Sequence, residues 1–131
     1  MKTSNNNQCN TNISIAEEYY RALADKDLTK ASQFLHPEVR LISPLAEIET
    51  KPVVIKALEG FLAAIERLEI RIVSSVSDQQ TMLLLNPYFH QSIGKLRTVA
   101  FITLENNLIK EIELFYDSRP LFEKKNEIFR K

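Results

Sequence analysis

Tyr19, His90, Tyr116 and Asp117 are the side chains in this sequence with the chemistry to act on a small molecule. A phenol can donate a hydrogen bond to an oxygen that is gaining charge, and a carboxylate or imidazole can carry a proton. Tyr116 and Asp117 are neighbours near the end of LIKEIELFYDSRP, Leu108 to Pro120. A strand-end carboxylate more often anchors an arginine or backbone amides than reacts, and Arg119 is the nearest partner for Asp117. Tyr19 lies in a helical stretch, where its ring suits either a pocket wall or plain packing. His90 follows Pro87 and Tyr88 close to the end of a strand, where a lone histidine is commonly solvated, and His36 before Pro37 reads as a turn residue. With two separated histidines and a single cysteine, Cys9, there is no ligand spacing for a metal, and no metal or cofactor is expected.

These residues need a scaffold, and the periodicity supplies one. Residues 1–12 are polar and read as a disordered tail. Ser14 with Glu17 resembles a capping box, which starts a first helix at about Ile15 and runs it to Ala24 through Tyr19 and Leu23. Asp27 can cap a second helix carrying Leu28, Ala31, Phe34 and Leu35. After His36-Pro37 come a short strand near Val39 to Ser43 and a second near Leu45 to Glu49. Thr50 and Pro52 then start the longest helix, which reaches about Arg67, with Gly60 read as a close approach to the sheet.

From Leu68 the period falls to 2, and strands are expected over Leu68 to Ser77, Thr81 to Gln91, Leu96 to Glu105 and Leu108 to Tyr116. Pro87 demands an edge or a bulge, Ser92 to Lys95 a turn, and Asn106-Asn107 a tight hairpin. The last strand places Ile112, Leu114 and Tyr116 on one face and Glu111, Glu113 and Phe115 on the other, and it should be the most central. Helices first and a meander last make the class α+β: three N-terminal helices packed in the concave face of a strongly curved, mainly antiparallel mixed sheet. Leu121 to Lys131 reads as a short terminal helix in a C-terminal extension, residues 122–131.

Composition narrows the function. The chain has 131 residues, one domain's worth, and its 17 basic and 17 acidic residues leave no charge for nucleic acid. No apolar run reaches a membrane span of roughly 18 to 20 residues, and the lone cysteine suits a reducing compartment, so a cytoplasmic protein without nucleic-acid or membrane partners is expected. Apolar residues on both faces around Phe89, Phe101, Ile109 and Phe115 point to a sheet face covered by a second copy, a homodimer.

From Ile13 to Leu121 the order of elements resembles the nuclear transport factor 2-like superfamily, with its SnoaL-like cyclases, ketosteroid isomerases and epoxide hydrolases and its cystatin-like cone. The residues that carry this resemblance are Glu18-Tyr19-Tyr20-Arg21-Ala22-Leu23 with Lys26-Asp27-Leu28, Phe34-Leu35-His36-Pro37-Glu38-Val39, and Ile109 through Asp117. It implies a domain over residues 13–121 with a pocket at the cone's open end and pairing of cones through the outer sheet face. Tyr19, Leu23, Ile112, Leu114 and Tyr116 would then line the pocket, with Tyr19, Asp117 and His90 as catalytic candidates. It also implies absences. Ser43-Pro44 stands where the isomerases carry their aspartate base, Ala100 where they carry the oxyanion aspartate, and Leu114 where the epoxide hydrolases need a carboxylate. The two readings left are an enzyme of the isomerase, cyclase or hydrolase type acting on a small, largely apolar molecule, and a non-catalytic ligand-binding or protein-association module on the same scaffold.

Overall fold

The computed structural model describes residues 2–90 and 93–121 of the chain. The elements follow in the order α1 Lys2–Ala24, α2 Leu28–Ser32, β1 Leu35–Ile42, β2 Glu47–Glu49, α3 Lys51–Ala64, β3 Ile65–Ser77, β4 Gln80–Phe89, β5 Gly94–Lys95, β6 Thr98–Glu105 and β7 Leu108–Phe115. Residues 119–121 add a further helical turn. One sheet runs β2-β1-β7-β6-β4-β3, with β5 on the end of β4. Among the described residues only the β1–β7 pairing is parallel. The α+β class, the mixed curved sheet and the central place of the closing strand are as the sequence predicts. The C-terminal extension, residues 122–131, and the strand and turn positions Gln91 and Ser92 lie outside the described residues.

The helix α1 begins at Lys2, not near Ile15, so the backbone that reads as a loose tail is helical. The Ser14 capping signal is overridden because Asn12 is fully buried and its side-chain amide donates to the Asp78 carbonyl at the β3–β4 turn. From there Asn12, Ala16, Tyr19, Tyr20 and Leu23 make one buried stripe. The helix ends in a Schellman arrangement: Asp27 N–H bonds to Ala22 O at 2.8 Å and Lys26 N–H to Leu23 O at 2.9 Å, with Lys26 left-handed at φ 59°. Its ammonium donates to Ile65 O at 2.6 Å and ties the end of α1 to the start of β3. Asp27 caps α2 by accepting from Lys30 N–H, at 3.1 Å.

The sheet is bent by misregister. Along β3 the pairing with β4 slips between Ile65 and Arg67, Ile70 and Ile72, and Ser75 and Ser77, so Glu66, Arg71 and Val76 are extra residues at a regular spacing. Each such bulge bends the strand and adds twist. A similar slip at Lys110 puts both Ile109 and Ile112 in the core, although one is odd and the other even. Pro87 falls where β4 changes partner, from Thr98 of β6 to Lys95 of β5, so its missing donor breaks no ladder. Asn106 and Asn107, at φ 55° and 64°, form the tight turn between β6 and β7.

Three other expectations are corrected. The third helix stops at Ala64, and Ile65 opens β3 with its side chain buried, so α1 and not α3 is the longest helix. His36 lies inside β1, in a bulge between Leu35 and Arg40, where its Nδ1 accepts from Glu38 N–H at 3.0 Å. A Cβ on Gly60 would meet nothing within 4 Å, so no close approach explains that glycine.

Thr50, between β2 and α3, has φ 75° and ψ 143° and makes no side-chain cap. A β-branched residue is strained there. Thr50→Gly is expected to stabilise the protein by about 1 kcal/mol, strain relief outweighing the entropy that glycine gives the unfolded chain. Urea unfolding with an unchanged slope measures it, and a loss of stability would show that Thr50 sits there without strain.

Candidate functional site

The wide end of the curved sheet holds a cavity of about 300 Å³. Five groups of side chains form its wall. The helix α1 gives Tyr19, Tyr20 and Leu23, and α3 gives Ala57, Leu58 and Phe61. The end of β1 and its turn give Leu41, Ser43 and Leu45, and the last residues of β4 give Leu85, Pro87 and Phe89. Ile112, Leu114, Tyr116 and Leu121 close the far side, with Leu96 and Thr98 at the start of β6. The volume is at the low end of the roughly 300 to 1,000 Å³ usual for small-molecule sites.

The five residues expected to line a pocket, Tyr19, Leu23, Ile112, Leu114 and Tyr116, all do so. On β7 this follows from alternation: Ile112 and Leu114 face inward while Glu111 and Glu113 are carried on the other face. Tyr19 is 1% exposed, and no hydrogen bond joins its hydroxyl to another described residue. Its ring meets that of Tyr20 edge-on, with centroids 4.8 Å apart. Burial pushes the Tyr19 phenol well above its ordinary pKa, the neighbouring Tyr20 adds to this, and burial alone raises Tyr20. Both therefore stay neutral and keep a hydroxyl proton to donate. At Tyr116 burial raises the pKa and the Ser43 hydroxyl beside it offsets part of that rise. Ser43 is itself held by its turn, donating to Ala46 O at 3.2 Å and accepting from Leu45 and Ala46 N–H at 3.3 Å each.

Two of the catalytic candidates fall outside this wall. Asp117 is exposed: its carboxylate accepts from Arg119 N–H at 3.0 Å and from the guanidinium at 2.6 to 3.1 Å. Those contacts hold its pKa down at about 2. This is the arginine-anchoring role weighed above. His90 is also exposed, because the preceding Phe89 points inward. Its Nδ1 lies 3.8 Å from Glu66 and its N–H bonds to Ala64 O at 3.1 Å. Neither residue is among those that line the cavity.

Ala100 is fully buried opposite Leu114 on the neighbouring strand. The polar groups of the wall are thus the hydroxyls of Tyr19, Tyr20, Ser43, Thr98 and Tyr116, and no described carboxylate, imidazole, ammonium or guanidinium lines it. Among the described residues no His, Cys, Asp and Glu group could hold a metal. Sequence reasoning missed Tyr20, Ser43 and Leu121. Ser43 carried a usable signal, two residues beyond Leu41 on the same strand phase, whereas Leu121 lies past Pro120 where no period remains.

The family model of the SnoaL-like domain matches residues 16–112, most of the chain. The chain belongs to the SnoaL-like family. With it comes membership of the nuclear transport factor 2-like superfamily, and solved structures agree. A steroid delta-isomerase from Pseudomonas aeruginosa is similar over 89% of this chain and 90% of its own, at 19% identity and a TM-score of 0.73. An NTF2-like protein of unknown function from Cytophaga hutchinsonii covers 82% and 91%, at 16% and 0.72. A de novo designed protein with a curved β-sheet covers 92% and 95%, at 22% and 0.77. At such identities the likeness is one of fold. No curated protein matches the chain.

Within this SnoaL-like cavity a carboxylate at Leu114 would meet no cation among the described lining residues. In Leu114→Asp the folded-state pKa is expected to rise above the ordinary carboxyl value of about 3.9. The unfolded chain then releases its proton first as pH rises, so stability falls from about pH 4 upward until the folded group also ionises, by about 1.4 kcal/mol per unit of pKa difference. Denaturant unfolding at pH 4 and pH 7 tests this. Equal losses at both would place residue 114 in contact with bulk water.

Proposed function

We propose that the cavity binds a small, uncharged, largely apolar molecule bearing an acceptor oxygen, and that the tyrosine hydroxyls hold that oxygen. The observation that carries this reading is the wall itself, apolar except for neutral hydroxyls. Burying a charge there would go uncompensated, which disfavours anions and cations alike. A carbonyl or ether oxygen would instead meet phenols kept protonated by burial.

An isomerase-type reaction is the second reading, supported by the family and by the likeness to a steroid delta-isomerase. The phenols would stabilise an enolate oxygen. Abstraction of a carbon-bound proton also needs a base, and serine without a partner is not one at neutral pH. Binding is therefore placed first. A titration of matched pairs, each an apolar ketone and the hydrocarbon of the same skeleton, decides between donor-assisted and purely apolar binding. The ketones are expected to bind tighter, and Tyr19→Phe to weaken them by about two- to tenfold, the equivalent of a hydrogen bond of roughly 0.5 to 1.5 kcal/mol. Loss of protein stability with ketone affinity unchanged would make Tyr19 a packing residue. Deuterium exchange beside the ketone carbonyl, followed by NMR, would promote the isomerase reading.

Assembly is part of the same proposal. On the outer sheet face Ile72, Leu84, Val99 and Phe115 lie in one registered row, with Met82 and Phe101 in the next. Ile72 is 49% exposed and Phe115 51%. Phe89 and Ile109, expected on that face, are in the core instead. An apolar patch continuous across four strands is uncommon on a lone domain, and a second copy of the chain would cover it. Analytical ultracentrifugation is expected to give a dimer at micromolar concentration and a monomer for Phe115→Glu. A monomeric parent would leave the outer face without this role. A cytoplasmic location belongs to the proposal too; among the described residues no helix is long and apolar enough to cross a membrane.

A further inference from the structure

The wall of the cavity is built in two ways. Leu23, Phe61 and Ile112 stand on α1, α3 and β7, whose backbones are fixed by helix or sheet hydrogen bonds along their length. Leu121 stands past the last strand, at the end of the described helical turn 119–121. The last strand ends at Phe115, and the chain leaves the wall after Tyr116, passes through the exposed residues Asp117, Arg119 and Pro120, and returns to the wall at Leu121. Leu121 is only 2% exposed although no strand pairing reaches it.

What turns the chain back is a buckle between two side chains in solvent. The Asp117 Oδ1 accepts from Arg119 N–H at 3.0 Å, which closes the turn, and the guanidinium clasps both oxygens through Nε at 3.0 and 3.1 Å and through its terminal nitrogen at 2.6 Å. Pro120 then restricts the backbone at the point of return.

Beyond the reading of the cavity as a binding site, though resting on it, we infer that Leu121 is the wall residue that sets how long a ligand the cavity accepts, and that the Asp117–Arg119 buckle is what positions it. The buckle is local and exposed, so it can open without breaking a ladder bond. Leu121 is therefore the side chain that yields to an entering molecule. The same geometry gives Asp117 and Arg119 a positioning role and no contact with the ligand.

A series of phenyl ketones with unbranched alkyl chains of increasing length tests this, competed against a fluorescent apolar probe. For the parent protein the affinity should rise with each methylene and then stop rising at a definite length. Leu121→Ala is expected to move that break to a longer chain, by about the three carbons removed, and Leu121→Trp to a shorter one. If Leu121→Ala does not fold, Leu121→Val replaces it, with a shift of about one carbon expected. Arg119→Ala and Asp117→Asn, both at exposed positions, should raise the association and dissociation rates several-fold by the same factor in stopped flow, with the Kd almost unchanged. A break that stays at the same length in the folded Leu121 variants overturns the assignment of the wall. Rates unmoved in both buckle variants overturn the positioning role. A parent protein that binds no ketone of any length overturns the cavity reading itself, and this inference with it, an outcome distinct from tight binding with an unmoved break.

Discussion

The bending of β3 is the constraint on which the rest of this molecule depends. A flat sheet could lay α1 and α3 on one face and leave no room between them. Extra residues at Glu66, Arg71 and Val76 shorten β4's side of the pairing relative to β3, so the long edge strand wraps toward the helices. Curvature produced this way leaves the inward residues at the narrow end, such as Leu83 and Ile102, in full contact, while those at the wide end stand apart around a cavity. The likeness to a de novo designed protein with a curved β-sheet shows that such a fold can be specified by design. The bulges also break up the free edge of a 13-residue strand, which would otherwise offer a straight ladder to another chain.

A cavity is kept open only if nothing inside draws its walls together, and the choice of polar groups here suits that. Ser43 and Thr98 spend hydrogen bonds on their own turns, Ser43 on Leu45 and Ala46 and Thr98 on Leu96 O at 3.1 Å. The phenols of Tyr19 and Tyr20 rest ring against ring. A buried carboxylate or guanidinium at the same depth would have demanded a partner and closed the space around it. The charged pairs are accordingly outside, as in Arg40 with Glu47 and Glu49 or Arg119 with Asp117.

Much of this was legible from the residues, for identifiable reasons. Period-2 alternation placed Ile112, Leu114 and Tyr116 on the inner wall because from Glu111 onward β7 pairs without a slip. It misplaced Ile109, because the extra residue at Lys110 reverses the phase and local pattern carries no mark of a bulge. The Asp27 cap and the Asn106-Asn107 turn were readable since the interactions that create them lie within a few residues. The start of α1 was not, since Asn12 is held by the Asp78 carbonyl 66 positions away. His90 and Asp117 have reactive side chains, but one follows an inward Phe89 and the other stands past the end of a strand, and only the three-dimensional arrangement turns them out to solvent.

Membership of the SnoaL-like family settles the scaffold and leaves the chemistry to the wall. In a fold that presents side chains from α1, β1 and β7 to one cavity, the reaction is decided by which of those positions carries charge. Here Tyr19 and Ser43 bring hydroxyls to the wall, and Leu114, opposite Ala100 on the neighbouring strand, brings an apolar side chain. Among the described lining residues none bears a carboxylate, imidazole, ammonium or guanidinium, so the hydroxyls are the groups placed to meet an oxygen. Such a site gains most from excluding water around its hydroxyls, since each donor is worth more in a dry, low-dielectric wall than in solvent. Leu121, buried in that wall from a segment outside the sheet, adds to its apolar surface although no periodicity announces it.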